Sequence, residues 1–136
     1  MSDLILNKLD YLRIRKAIDS AKAVGSINPA EAQSLLNELE NAIVVEPKEV
    51  PSDIVTMNSI VKIRFLNTNK HLEFQIVYPK DANLKENKIS IFSPVATALI
   101  GYKTNDEVEW IVPAGVTRIR IEEIVYQPEA SGDFNL

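Results

Sequence analysis

Apolar residues in the first third of the chain recur at alternating steps of three and four. Tyr11, Ile14, Ile18 and Ala21 form one series; Ala32, Leu35, Leu39 and Ala42 form a second, widened by Leu36 and Ile43. That spacing is the buried stripe of an α-helix packed against a partner. Between the two series, Gly25-Ser26-Ile27-Asn28-Pro29 interrupts the pattern. Asn28 is placed to cap a second helix, with Pro29 at the first helical position, where no backbone N–H is required. Asp10 is a candidate cap for the first helix, or Asn7 if that helix begins one turn earlier. Two matched stripes joined by a tight break predict a short antiparallel helical hairpin, a coiled coil, over residues 1–45. Each arm has roughly 14 residues, about 21 Å at 1.5 Å per residue. The stripe must be completed either by the rest of the chain or by a second copy. Glu46-Pro47-Lys48-Glu49-Val50-Pro51 then opens a linker over 46–56, because two prolines forbid a continuing helix.

From residue 57 the period changes to two. Val61, Ile63 and Phe65 alternate with Lys62 and Arg64; beyond the turn-forming Asn67-Thr68-Asn69, Leu72, Phe74, Ile76 and Tyr78 alternate again. This is a β-hairpin with one buried face. A short strand is expected over Ile89–Phe92. Ser93-Pro94 follows as cap and first helical position, and a helix through Ala98 and Leu99 ends at Gly101. Glu107–Val112 and Val116–Tyr126 are two further strands, separated by Pro113-Ala114-Gly115. The second part of the chain, 57–136, is therefore an antiparallel sheet with one principal helix, and the whole is of the α+β class.

At 136 residues the chain suits a single domain or a small domain with an appendage, and the absence of cysteine excludes disulfides and thiolate metal sites. No apolar run approaches the roughly 20 residues of a membrane span, and the N-terminus does not read as a signal peptide, so a cytoplasmic location is expected. The net charge of −4 argues against autonomous nucleic-acid binding. Charge is unevenly spread: residues 1–56 hold 6 basic and 9 acidic side chains, residues 57–126 hold 9 and 8. An acidic front and a near-neutral body suggest two parts with different tasks.

Candidate chemistry is sparse. No phosphate-cradling glycine loop or other cofactor fingerprint occurs, so no cofactor is expected. His71, the sole histidine, falls in a strand among Lys70 and Glu73 and reads as a surface residue. Asp106, Glu107 and Glu109 could suggest a metal cluster, but Glu107 and Glu109 share a strand face opposite Val108 and Trp110, which is the pattern of a solvated face. Trp110 reads as core. No catalytic and no metal-ligating set emerges, and an enzyme is not expected. In the tail YQPEASGDF, Gln127-Pro128 stops the last strand, and Tyr126 and Phe134 are placed to anchor an acidic segment containing Glu129 and Asp133.

The stretch ISIFSPVATALIG, Ile89 to Gly101, resembles the signature of the bacterial Gre transcript-cleavage factors. The strand-Ser-Pro-helix-Gly order matches, as do Asp106 at the family's Gly-Asp turn and Pro113-Ala114-Gly115 at its Pro-x-Gly turn. Asn105 stands where that turn has glycine, and asparagine tolerates positive φ. Three further stretches, Ile54–Lys62 (IVTMNSIVK), Ile76–Ala82 (IVYPKDA) and Tyr126–Phe134, are similar to the Rnk branch of the family, regulators of nucleoside diphosphate kinase with a shortened hairpin. The likeness covers residues 54–136 well and the hairpin in outline.

The resemblance implies an FKBP-like domain that docks on RNA polymerase, at a coiled-coil projection on the rim of the secondary channel. It marks Ser93 and Pro94, with Phe92 and Val95 beside them, as the partner-binding edge. Ser-Pro is also a good helix start on its own account. Cleavage factors often place an acid before Ser-Pro; here that residue is Phe92, which implies a more apolar contact. Gre factors hold a catalytic magnesium with acidic residues at the hairpin tip, and magnesium needs hard oxygen ligands. The tip here, Ala21 to Ala30, offers Lys22, Ser26 and Asn28 and no carboxylate, with Asp19 and Glu31 set back along the arms. The implied function is a non-catalytic RNA polymerase-binding regulator that competes with channel-entering factors. The alternative implied by the fold is an FKBP-type peptidyl-prolyl isomerase or chaperone, which needs an aromatic-lined pocket.

Overall fold

The computed structural model describes residues 4–112 and 115–132. Two helices form the predicted hairpin: α1 (Lys8–Ala23) and α2 (Pro29–Glu40). Of the two candidate caps on α1, Asn7 is the one used: its side-chain oxygen accepts the N–H of Asp10 at 2.7 Å. Asn28 caps α2 through the N–H of Ala30, at 2.8 Å, with Pro29 at the first position. Gly25 takes φ +70 in the break between the arms.

The hairpin rises from a base that the hydrophobic pattern does not reveal. Three-residue strands β1 (Ile5–Asn7) and β2 (Ile43–Val45) flank the two helices and pair in parallel, Ile5 opposite Ile43 and Asn7 opposite Val45. A three-residue strand is too short to show a period of its own. The N–H of Ile5 also reaches the carbonyl of Gly101 at 3.2 Å, so the base is bonded to the body. Glycine is required at 101 twice over. Its φ is +84, and a Cβ there would stand 3.0 Å from the Cβ of Leu4.

The body is a five-stranded sheet in the order β5-β4-β3-β7-β6, comprising β3 (Ile60–Phe65), β4 (Lys70–Val77), β5 (Lys88–Ser90), β6 (Glu107–Val112) and β7 (Gly115–Tyr126). Three of its four pairings are antiparallel, as expected. The fourth, β4 with β5, is parallel, so the sheet is mixed and the expectation of a purely antiparallel one is corrected. The cause lies in residues 78–87. Two 3-10 turns, Pro79–Asp81 and Leu84–Glu86, carry the chain away and back before Asn87, at φ +58, sets β5 alongside β4 in the same direction. A tight hairpin loop would have forced the antiparallel arrangement. The single helix of the body, α3 (Pro94–Leu99), starts at Ser93 and ends before Gly101, as the sequence indicates.

Alternation sorts the sheet faces. Val61, Ile63, Phe74, Ile76, Ile119 and Ile121 are buried, while Leu72, near the β3–β4 turn, is left exposed. The outer face is laced with charge: Lys62 reaches Glu73 and Glu123 at 3.9 and 3.8 Å, and Arg64 meets Glu122 at 2.8 Å. The Lys62 pairs are exposed and add little stability individually, whereas the Arg64–Glu122 pair is half-buried. The inner face and the hairpin stripe form one core, in which Ile14, Ile18, Leu35 and Leu39 join Val55, Met57, Ile63 and Leu99. The body of this chain thus completes the stripe. The segment 46–56 begins with a 3-10 turn, Pro47–Glu49, and then turns inward. Ile54, Val55 and Thr56 are buried, and Val55 exchanges backbone hydrogen bonds with Gly101 and Tyr102.

A shared core makes the hairpin and sheet a single folding unit. Ile18→Ala, deep in that core, should destabilise the protein by about 2–5 kcal/mol. Amide exchange in β3 and β7 should accelerate in step with that in α1. A variant whose helices loosen while the sheet keeps full protection would contradict a common core.

Candidate functional site

The stretch Phe92–Val95 runs from the turn after β5 into the first turn of α3. Ile91 is buried, and the Ser90 hydroxyl accepts the N–H of Phe92 at 3.0 Å. The Ser93 Oγ accepts the N–H of Ala96 at 3.4 Å, and the Thr97 hydroxyl donates back to the Ile91 carbonyl at 2.8 Å. Ser93 is therefore occupied as a helix cap. The backbone of Pro94 opens α3, and its side chain lies outside the described residues. Phe92 and Val95 are half-buried and pack against the core with one side.

Phe92 also lines an open groove of about 900 Å³ between the hairpin and the body. One wall is α1, presenting Arg13, Lys16 and Ser20 above a floor of Ala17 and Ala21; the other is the segment Tyr78–Asp81. Its charged lining is Arg13, Lys16 and Lys80 against Asp81, a local excess of positive charge in a protein of net charge −4.

Behind this wall lies a polar hub that sequence reasoning missed. Asp10, read as a possible cap, is only 2% exposed, and its Oδ2 accepts the N–H of Met57 at 3.1 Å. Beside it, Glu129 of the tail accepts hydrogen bonds from the Asn7 side-chain amide and, at 2.8 Å, from the Thr56 hydroxyl, which in turn contacts the Ser59 hydroxyl at 2.9 Å. Gln127 is buried and donates to the carbonyls of Pro51 and Ile54 at 2.8 and 2.7 Å. The hub joins the hairpin base, the segment before β3, and the tail. A signal for it existed: Asp10 lies four residues before Ile14, so an acid stands on the buried stripe. The tail packs through Gln127, Pro128 and Glu129; of the two expected anchors, Tyr126 is half-buried and Phe134, like the acid Asp133, lies outside the described residues.

Burial pushes the Asp10 carboxyl from 3.8 up to about 7, with the nearby Glu129 charge adding to the effect and the Met57 N–H and Arg13 opposing it. The Tyr78 hydroxyl, against Asp10 and Arg13, is likewise raised by burial. His71, Glu107 and Glu109 are exposed, and Asn105 takes φ 76 at the turn. Among the described residues no group of three or more His, Asp or Glu lies close enough to hold a metal ion, and no helix is long and apolar enough to cross a membrane. The side chain of Trp110 lies outside the described residues.

A sheet body thus carries a helical hairpin, with an apolar and basic groove at their junction. Comparison with known proteins specifies the class. The family model for the C-terminal part of the transcription elongation factors GreA and GreB matches residues 50–126. The chain is 37% identical over 134 residues to the regulator of nucleoside diphosphate kinase of Escherichia coli (strain K12), covering 98% of this chain and 96% of that protein. It is 39% identical over 106 residues to the transcription elongation factor GreA of Clostridium botulinum (strain Eklund 17B / Type B), covering 78% of this chain and 66% of that one. A GreA/GreB elongation factor from Nitrosomonas europaea superposes with a TM-score of 0.74 at 35% identity, over 93% of this chain and 100% of that one. The chain belongs to the GreA/GreB transcription elongation factor family.

The raised Asp10 pKa has a stability consequence. Between about pH 4 and pH 7 the folded state holds a proton that the unfolded chain releases, so this group's contribution to stability falls as pH rises through that window. Asp10→Asn should remove that slope and raise stability near pH 8 by on the order of a few kcal/mol. Denaturant unfolding at several pH values checks it; a slope that survives in the variant places the proton on another group.

Proposed function

We propose that this chain is a non-catalytic regulator that binds bacterial RNA polymerase at the rim of its secondary channel and competes there with other channel-entering factors. The observation that supports this reading best is the coincidence of two features. Phe92, the first residue of the stretch marked by its resemblance to the Gre docking loop, lines the groove between hairpin and body. A turn already held by the Ser90, Ser93 and Thr97 side chains lowers the ordering cost of binding. The five-stranded sheet with its one short helix is read as the FKBP-like arrangement of the Gre C-terminal domain. The name of the Escherichia coli relative ties that protein to nucleoside diphosphate kinase; for this chain we read such a link as indirect, through transcription.

Transcript cleavage is outside this role. The exposed tip residues Lys22, Ser26 and Asn28 supply no carboxylate for magnesium. The arms, of 16 and 12 residues, are about 24 and 18 Å long, short for reaching a deep active centre. Added to a backtracked elongation complex, the protein should leave transcript cleavage at the intrinsic polymerase rate. Stimulation above that rate overturns this part of the reading.

Two substitutions test the docking edge. Pro94→Asn adds a backbone N–H at the first helical position, where none is required and solvent can satisfy it, and should cost on the order of 1 kcal/mol or less in stability. It should weaken binding to core RNA polymerase by on the order of tenfold, about 1.4 kcal/mol. Phe92→Asp places a charge on a half-buried ring site, and should lower both the melting temperature and the affinity. Unchanged affinity in a well-folded Pro94→Asn protein would put the docking surface elsewhere.

A further inference from the structure

We propose that the groove between hairpin and body is a nucleotide site: it takes a nucleoside polyphosphate, with the phosphates on Arg13, Lys16 and Lys80 and the ring system against Tyr78 and Phe92. The site needs nothing from the docking reading, although Phe92 belongs to both.

Periodicity builds one wall. Arg13, Lys16, Ala17, Ser20, Ala21 and Val24 follow at helical steps of three and four, so they share one face of α1 and its C-cap. Arg13 and Lys16, three residues apart, have Cβ atoms roughly 5–6 Å from each other, a span that a short phosphate chain bridges. Lys80 stands on the facing segment, so cations meet the space from both sides. An arginine fork beside lysine point charges is a set of donors suited to phosphate oxygens. This charge is not neutralised from within. On the outer sheet face Lys62, Arg64, Arg118 and Arg120 each meet a glutamate. Among the described residues Lys16 and Lys80 form no ion pair, and Asp81 is the single acid of the lining. In a chain of net charge −4, so local an excess calls for a multiply charged anion.

The rest of the lining decides which kind of anion. Ala17, Ala21, Val24 and Pro79 are apolar, and Tyr78 and Phe92 rest on the core with one side while lining the groove. A bare inorganic anion gains nothing from such a surface, whereas a planar ring gains by stacking on it. The volume of about 900 Å³ lies within the roughly 300–1,000 Å³ of small-molecule sites. The Tyr78 hydroxyl is shielded from solvent and has no hydrogen-bond partner among the described residues. A donor left in that state is costly, and a ribose or phosphate oxygen at the wall satisfies it. An acidic peptide answers the charge equally well, but the concavity and the two aromatic rings favour the nucleotide.

The test uses the full chain without polymerase, so its outcome is independent of docking. Calorimetric titration with ATP and with GTP should give a Kd on the order of 100 µM or below. Adenosine and inorganic tripolyphosphate each carry half of the chemistry, and each should bind about tenfold more weakly than ATP or worse. Lys16→Gln and Lys80→Gln, at exposed positions, should each weaken ATP binding about fivefold and leave the melting temperature unchanged. Lys62→Gln, on the outer sheet face, should leave the affinity for ATP as it was. Amide shifts on ATP addition should cluster in α1 and residues 78–81. An absence of binding at millimolar ATP, tripolyphosphate bound as tightly as ATP, or an equal loss in Lys62→Gln each overturns the proposal. Binding confined to poly-glutamate or to RNA oligonucleotides overturns it as well, and assigns the groove to a peptide or to a nucleic acid.

Discussion

A buried carboxylate between a helix base and a sheet is the constraint on which the arrangement of this protein turns. Asp10 cannot leave its stripe, because Ile14 and Ile18 on the same face are wholly buried. It must therefore be satisfied where it stands, and the Met57 N–H does so. That bond ties the hairpin base to the segment leading into β3. Asn7, Thr56, Glu129 and Gln127 then follow as the groups that keep a polar site in the interior supplied with partners. A hydrophobic contact could have given similar stability, but not the same directional definition.

The groove depends on that definition. Its two walls come from parts of the chain far apart in sequence, α1 on one side and residues 78–81 on the other, so its width is set by how the hairpin base seats on the body. The parallel β1–β2 pair and the Ile5–Gly101 hydrogen bond secure the base along one line, and the polar hub secures it at a second point. The detour through residues 78–87 has two effects at once. It turns β5 parallel to β4, and it lifts Tyr78 and Lys80 into position as a wall.

Much of this architecture was legible in the sequence wherever a local rule decided the outcome. Asn28-Pro29 and Ser93-Pro94 cap helices because side-chain acceptor and proline geometry act within a few residues. The alternation through Val61, Ile63, Phe74 and Ile76 sorted the sheet faces, since period two admits no other sorting. What escaped was non-local. Ile43 looked like a continuation of the helical stripe, and only its pairing with Ile5 makes it a strand. The direction of β5 is decided by a ten-residue excursion (residues 78–87) that carries no hydrophobic period. The candidate edge at Phe92–Val95 was named from resemblance, whereas the groove beside it required α1 and Tyr78 to be brought together. Asp10 was seen, but a charged residue at a helix start is so ordinary that its place on the buried stripe went unweighted.

The parallel two-stranded base has a consequence for how such a chain can change. Both helical arms leave from and return to the same short ladder, with Asn7 and Ile43 as its exit and entry. Length added equally to the two arms, in steps of seven residues, would preserve the stripe and move only the tip. Nothing at the ladder, the hub or the groove need be redesigned. Reach is thus an independent variable in this architecture: anchorage and projection are separable modules, and a short probe and a long one can be mounted on the same foundation.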